Sequence, residues 1–196
     1  MESLKIHSNK GNIIEDIFLL TPNLFNDERG YFYESWNNNI LNKIVGKEIL
    51  FIQENISFSK KNVLRGMHYQ ISPKAQTKFV RCTKGEVFDV VIDLRYESPT
   101  FGEWASAYLS EDNKNQLFIP KGFAHGFLTL SENAEFTYLI DENWSPLDEK
   151  SILWNDKDLD INWPLNSADS SSLLISEKDK KAFSLRKAVE KGYIFK

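Results

Sequence analysis

Between Phe51 and Ile140 the chain alternates short runs of apolar, aromatic and β-branched residues with clusters of turn formers. The clearest runs are Thr77 to Cys82, Val87 to Leu94, Gln116 to Ile119, Phe123 to Leu130 and Ala134 to Ile140. Lys84-Gly85, Glu97-Ser98-Pro99, Pro120-Lys121-Gly122 and Ser131-Glu132-Asn133 punctuate them. Short runs so closely spaced predict a mainly β sandwich or barrel rather than βαβ units. Helical spacing is found outside this block. One helix is predicted over about Asn37 to Ile44. Another, over about 177–191, would follow Ser176 as N-cap with Asp179 three residues on, and would place Ala182, Phe183, Leu185, Ala188 and Val189 on one face. No repeat or low-complexity linker divides the chain, so residues 1–196 are expected to form one domain.

Composition narrows the functional classes. With 41% hydrophobic and 27% charged residues the chain has the balance of an ordinary soluble protein, and its 13% aromatic content suits both a β-rich core and a site that stacks flat rings. A net charge of -4 gives no general attraction for nucleic acid, so any bound phosphate must be met by a local basic cluster. Cys82 stands alone, which excludes an internal disulfide framework and suits a reducing compartment. The Met-Glu-Ser-Leu-Lys-Ile-His start lacks a signal-peptide core and no run reaches the roughly 18 to 20 apolar residues of a membrane span. A cytoplasmic location, with no membrane and no nucleic-acid partner, is the expectation.

Pro120-Lys-Gly-Phe-Ala-His125 resembles one half of the cupin signature, in which a turn leads into a strand whose histidine faces the interior. In a metal cupin the other half supplies His-x-His and a glutamate. Here it reads Leu64-Arg-Gly-Met-His68-Tyr-Gln70, so Gln70 stands at the second histidine position. Two histidines with no carboxylate partner make a poor metal site, and no metal is expected. Arg29, Arg65 and Lys78 are the strong donors that a pyrophosphate would need. No GxGxxG or GxxxxGK[ST] occurs, which sets aside a dinucleotide-binding fold and a P-loop.

Singly, each of these residues has a plainer reading. His68 and His125 could be hydrogen-bonded core histidines, and Tyr138 a barrel-filling aromatic. Asp179 could be a first-turn acid answering a helix dipole, and Lys78, Arg65 and Arg29 solvated charges on strand edges.

Their order along the chain argues for more. Phe25-x-Asp-x-Arg29-Gly-x-Phe32-x-Glu34, Gln53-x-Asn55-x-Ser57, Leu64-Arg-Gly-Met-His68-Tyr-Gln70, Gln76-x-Lys78, Ser98-Pro-Thr-Phe-Gly-x-Trp104, Ile119-Pro-x-Gly-Phe-Ala-His125-Gly-Phe127, Phe136-x-Tyr138, Trp154-Asn-Asp156 and Ser176-x-Lys178-Asp179 together resemble the dTDP-4-dehydrorhamnose 3,5-epimerase family from about Asn12 to Asp179. The resemblance implies a cupin-type jelly-roll β-barrel (double-stranded β-helix) with a few short peripheral helices. It also implies a homodimer that exchanges N-terminal strands, and no cofactor. The substrate would be a nucleotide-linked 4-keto-6-deoxy sugar. His68 would be the base, Asp179 its orienting acid, Tyr138 the proton donor from the opposite face and Lys78 the enolate's cation. Phe25, Arg29, Glu34, Gln53, Asn55, Arg65, His125 and Trp144 would bind sugar and nucleotide. Trp144 stands where the family usually has a tyrosine. A carbon acid beside a ketone needs a base poised near neutrality and a fixed cation where charge develops, which histidine and lysine supply. Three functions are open at this point: inversion at both C3 and C5 of the dTDP sugar, inversion at one carbon or on a GDP- or other nucleotide sugar, and a non-catalytic sugar-nucleotide-binding cupin.

Overall fold

The strand runs carry apolar residues on both faces, and such strands must be covered twice. The computed structural model, which describes residues 1–165 and 172–196, shows how. Its strands are β1 (Glu2–His7), β2 (Ile13–Thr21), β3 (Phe25–Asp27), β4 (Gly30–Phe32), β5 (Gln53–Lys60), β6 (Val63–Gln70), β7 (Lys78–Lys84) and β8 (Glu86–Asp93). They continue with β9 (Trp104–Ser110), β10 (Gln116–Ile119), β11 (Phe123–Thr129), β12 (Asn133–Ile140), β13 (Glu149–Ser151) and β14 (Leu174–Ile175). One sheet runs β1-β2-β10-β7-β12-β5, and the other runs β13-β6-β11-β8-β9 with β14 added to β6. β14 pairs in parallel, while the principal ladders are antiparallel. The architecture is the mainly β, cupin-type jelly roll, built as two facing sheets.

Between the sheets lies a core drawn from both, including Ile17, Val80, Leu117 and Phe136 from the first and Val91, Leu109 and Phe127 from the second. Each outer face has its own cover. Phe79, Phe118 and Leu139 pack under α1 (Asn38–Val45) through Leu41. Asn37 caps this helix by accepting from the backbone N–H groups of Asn39 and Ile40, and Gly46 ends it in the left-handed region. The second sheet's outer residues Phe88, Val90 and Leu128 are covered by Ile152, Trp163, Phe183 and Ala188 from the C-terminal segment. Each fully buried side chain of this kind contributes roughly 1.5–3 kcal/mol.

One expected element is different. The single C-terminal helix is two, α2 (Glu177–Lys180) and α3 (Leu185–Glu190). Ser176 does cap the first, accepting from the Asp179 N–H at 3.1 Å. Phe183 leaves the helical path because its backbone pairs with the chain after β13, its N–H donating to Ser151 and its carbonyl accepting from Leu153. Ser184 then caps the second helix. Tertiary pairing overrides the helical period, yet Phe183, Leu185 and Ala188 still meet the same core.

Candidate active site

A strict two-residue period puts residues three apart on opposite faces of a strand. Arg65 and His68 nevertheless line the same cavity. The ladder between β6 and β11 explains it: His68 pairs with His125 and Arg65 with Phe127, so three steps on β6 oppose two on β11. This bulge at Gly66 and Met67 rotates the strand and brings both side chains inward. Glycine is required there. Gly66 has φ +141°, a Cβ on it would stand 2.6 Å from the Gly126 Cα, and one on Gly126 would stand 2.6 Å from the Arg65 carbonyl oxygen.

The cavity, about 250 Å³, lies between the sheets at one end of the apolar core. β6 and β11 contribute Arg65, His68 and His125 from one sheet, and β5, β7 and β12 contribute Ser57, Lys78 and Tyr138 from the other. Phe127 and Phe136, stacked at 4.3 Å, close its floor. The space continues outward into a hollow lined by Gln53, Asn55, Gln76, Trp144 and Glu149, which shares His68, Lys78 and Tyr138 with the inner cavity.

The polar groups of the site are held by close partners, and burial shifts several of them. His68 Nε2 lies 2.6 Å from Asp179 Oδ1, the acid that the α2 cap turns toward β6. Burial opposes ionisation of Asp179, but the His68 hydrogen bond, with the Gly66 and Ser176 bonds, outweighs it and holds the carboxyl below its ordinary value. His125 Nε2 lies 2.8 Å from Asp89 Oδ2, both buried. Burial raises Asp89 above the usual carboxylate range, with His125 and Lys78 pulling the other way. Burial pushes Lys78 down to about 8, and Glu149 and Asp89 support its charge. Tyr138 is raised, chiefly by burial, although Arg65 opposes the shift, so its proton stays on at neutral pH. Arg65 is aimed by bonds from Nε to Ser59 Oγ at 3.0 Å and from its terminal nitrogen to the Phe58 carbonyl at 3.1 Å.

His68 and Tyr138 thus face one cavity from opposing sheets, with Lys78 on the same lining and Trp144 in the outer hollow. The model of the dTDP-4-dehydrorhamnose 3,5-epimerase family matches residues 12–187. The chain belongs to that family. A dTDP-4-dehydrorhamnose 3,5-epimerase of Salmonella typhimurium is 54% identical over 153 residues, 78% of this chain and 84% of that protein. The crystal structure of the 3,5-epimerase from Legionella pneumophila, solved with dTDP-4-keto-L-rhamnose, superposes with TM-score 0.89 at 39% identity, covering 100% of this chain and 98% of that one. A 3'-monoepimerase from Streptomyces bikiniensis in complex with dTDP-quinovose superposes with TM-score 0.86 at 29% identity, over 99% and 92% of the two chains. The family is one of isomerases, which sets aside the non-catalytic reading.

For this 3,5-epimerase family member, the structure gathers His68, Tyr138, Lys78, Arg65, His125, Gln53, Asn55 and Trp144 around the two joined hollows, with Asp179 behind His68. It does not bring Phe25, Arg29 and Glu34 there within one chain. Arg29 lies on the exposed hairpin of β3 and β4, paired with Asp27 at 2.5 Å, while Phe25 and Glu34 line a separate hollow with Met1 and Ile40. Asp179 stands on His68 as the resemblance implied, while the carboxylate on His125, Asp89, was not anticipated. Each acid serves one histidine, and among the described residues no three His, Cys, Asp or Glu side chains group as a metal-binding cluster. Sequence reasoning missed Asp89 and Glu149. Asp89 had a signal, a lone carboxylate inside the apolar run Val87 to Ile92, whereas Glu149 sits in the charged stretch Asp148-Glu149-Lys150, which has no apolar pattern to mark it.

Proposed function

We propose that this chain inverts C3 and C5 of dTDP-4-dehydro-6-deoxyglucose to give dTDP-4-dehydro-L-rhamnose, without a cofactor. The observation that carries the reading is the placement of His68 and Tyr138 on opposing sheets across one cavity. Inversion needs a proton removed from one face of a carbon and returned to the other.

His68, with Nε2 engaged by Asp179, offers its Nδ1 lone pair to the proton alpha to the C4 ketone. The C–H electron pair moves into the ring, and the ketone oxygen becomes an enolate oxygen stabilised by the Lys78 ammonium. Tyr138 then gives its phenolic proton to the opposite face of the carbon. Water returns a proton to the tyrosinate and takes one from the histidine, restoring both. The same pair serves the second alpha carbon after the ring shifts. Arg65 takes phosphate, Gln53 and Asn55 the sugar nucleotide, and Trp144 stacks on the base.

Phe25, Arg29 and Glu34 enter this scheme through a homodimer with composite sites. The hairpin's Phe25 and Phe32 are 64% and 71% exposed, and Ile56 and Phe58 on the free edge strand β5 are 67% and 53% exposed, apolar surface of the kind a partner covers. The monoepimerase relative has the same fold, so the number of inverted centres is the point for experiment. Incubation with the dTDP and GDP 4-keto-6-deoxy sugars, followed by NMR of the products, tests the reading. Conversion of the dTDP sugar at both carbons supports it, and conversion of the GDP sugar alone overturns it.

A further inference from the structure

Trp144 is carried by the segment that leads from β12 toward β13, and residues 70–77 hold that segment almost residue by residue, mostly through side chains. Asp141 accepts from the Thr77 N–H at 2.6 Å, and the Gln76 amide donates to the Glu142 carbonyl at 2.8 Å. Gln70 takes the two places flanking Trp144. Its Nε2 donates to the Asn143 carbonyl at 3.1 Å, and its Oε1 accepts from the Ser145 N–H at 2.6 Å. The remaining N–H goes to the Lys74 carbonyl at 2.5 Å. Gln70 is 3% exposed while Trp144 is 62% exposed.

A single buried amide that donates before a residue and accepts after it fixes both peptide planes around that residue, and with them the direction of its Cα–Cβ bond. A methionine of similar length would fill the same space but leave the Asn143 carbonyl and the Ser145 N–H to turn toward water. The position where a metal cupin has a ligand histidine thus serves here as a backbone clamp. We propose that Gln70 is a positioning residue for the nucleotide end of the site, holding Trp144 in the attitude that stacks on the base. This rests on the reading of Trp144 as a nucleotide contact.

Calorimetric titration with dTDP of the wild type, Gln70→Met, Trp144→Ala and the double variant tests it. Each single change is expected to weaken binding roughly three- to tenfold, the range of a lost aromatic stack, and the double variant to bind no more weakly than the weaker single. In steady-state kinetics Gln70→Met should raise KM more than it lowers kcat. If Gln70→Met fails to fold, Gln70→Asn, which keeps the amide but cannot span both partners, takes its place in the same cycle. Wild-type affinity in the Gln70 variant beside weak binding by Trp144→Ala, or losses that multiply in the double variant, would overturn the clamp. Wild-type affinity in Trp144→Ala would instead remove the nucleotide role of Trp144, and the clamp's function with it.

Discussion

His68 and Asp179, 111 residues apart, meet at 2.6 Å because a one-turn helix capped by Ser176 turns its acid toward the bulged strand β6. The carboxylate fixes the imidazole tautomer, so Asp179→Asn should lower kcat/KM by about 10²-fold or more, as loss of the acid that orients a histidine base does. Its stability effect has a defined sign. The folded carboxyl titrates below the unfolded value of ~3.9, so the pair stabilises the fold above about pH 4, and that contribution is lost as pH falls through the lowered value. Urea unfolding of wild type and variant should therefore show a stability gap at pH 7 that narrows below pH 4.

Lys78 ties activity and stability together in opposite senses. It must be protonated to hold an enolate, and burial brings it down to about 8, so kcat/KM should fall as pH rises through that value. Between about pH 8 and ~10.4 the folded lysine has lost its proton while the unfolded one retains it, so wild-type stability should rise across that window. Lys78→Met should lose roughly 10²- to 10³-fold in kcat/KM, yet be more stable at pH 7 by on the order of 1–3 kcal/mol. pH-rate profiles and thermal unfolding of the two proteins check both halves.

Asp89 is the buried carboxylate that supports the Lys78 charge together with Glu149. Asp89→Asn keeps a partner for His125 but removes that support. The alkaline limb of kcat/KM should then move to lower pH, while Asp89→Glu should restore part of it. An unmoved limb would assign Asp89 to holding His125 alone.

Much of this was legible in the sequence. The runs from Val87, Gln116, Phe123 and Ala134 became β8, β10, β11 and β12 within a residue or two, because strands buried on both faces read as apolar runs wherever they fall. His68 and Tyr138 stood out only as members of an ordered set of motifs. The bulge at Gly66 was not legible, since a two-residue period gives no sign that Arg65 and His68 share a face. Nor was the split of the last helix, which depends on Phe183 pairing with a strand more than thirty residues earlier. The hairpin from Phe25 to Phe32 matched the family's pattern, but local sequence cannot place it relative to a site built from other strands.

The close approach of β6 and β11 leaves no room for a methyl group. Gly126→Ala should destabilise the fold by about 2–4 kcal/mol through overpacking, and Gly66→Ala by at least as much because its φ of +141° also disfavours a side chain. Melting temperatures of the two variants measure this, with Gly11→Ala as a control in which a φ of +86° strains the side chain but nothing crowds it. An unchanged melting temperature in Gly66→Ala would mean that the bulge yields more readily than its contacts imply.

The central claim, proton transfer by His68 and Tyr138 from opposite walls, is tested most directly by position-resolved deuterium incorporation into dTDP-4-dehydro-6-deoxyglucose in D₂O, followed by NMR. Wild type should incorporate deuterium at both C3 and C5. His68→Ala should incorporate none at either carbon while still binding dTDP, and Tyr138→Phe should retain exchange at one carbon while net inversion falls. Exchange at the wild-type rate in His68→Ala, or full inversion in Tyr138→Phe, would contradict the account.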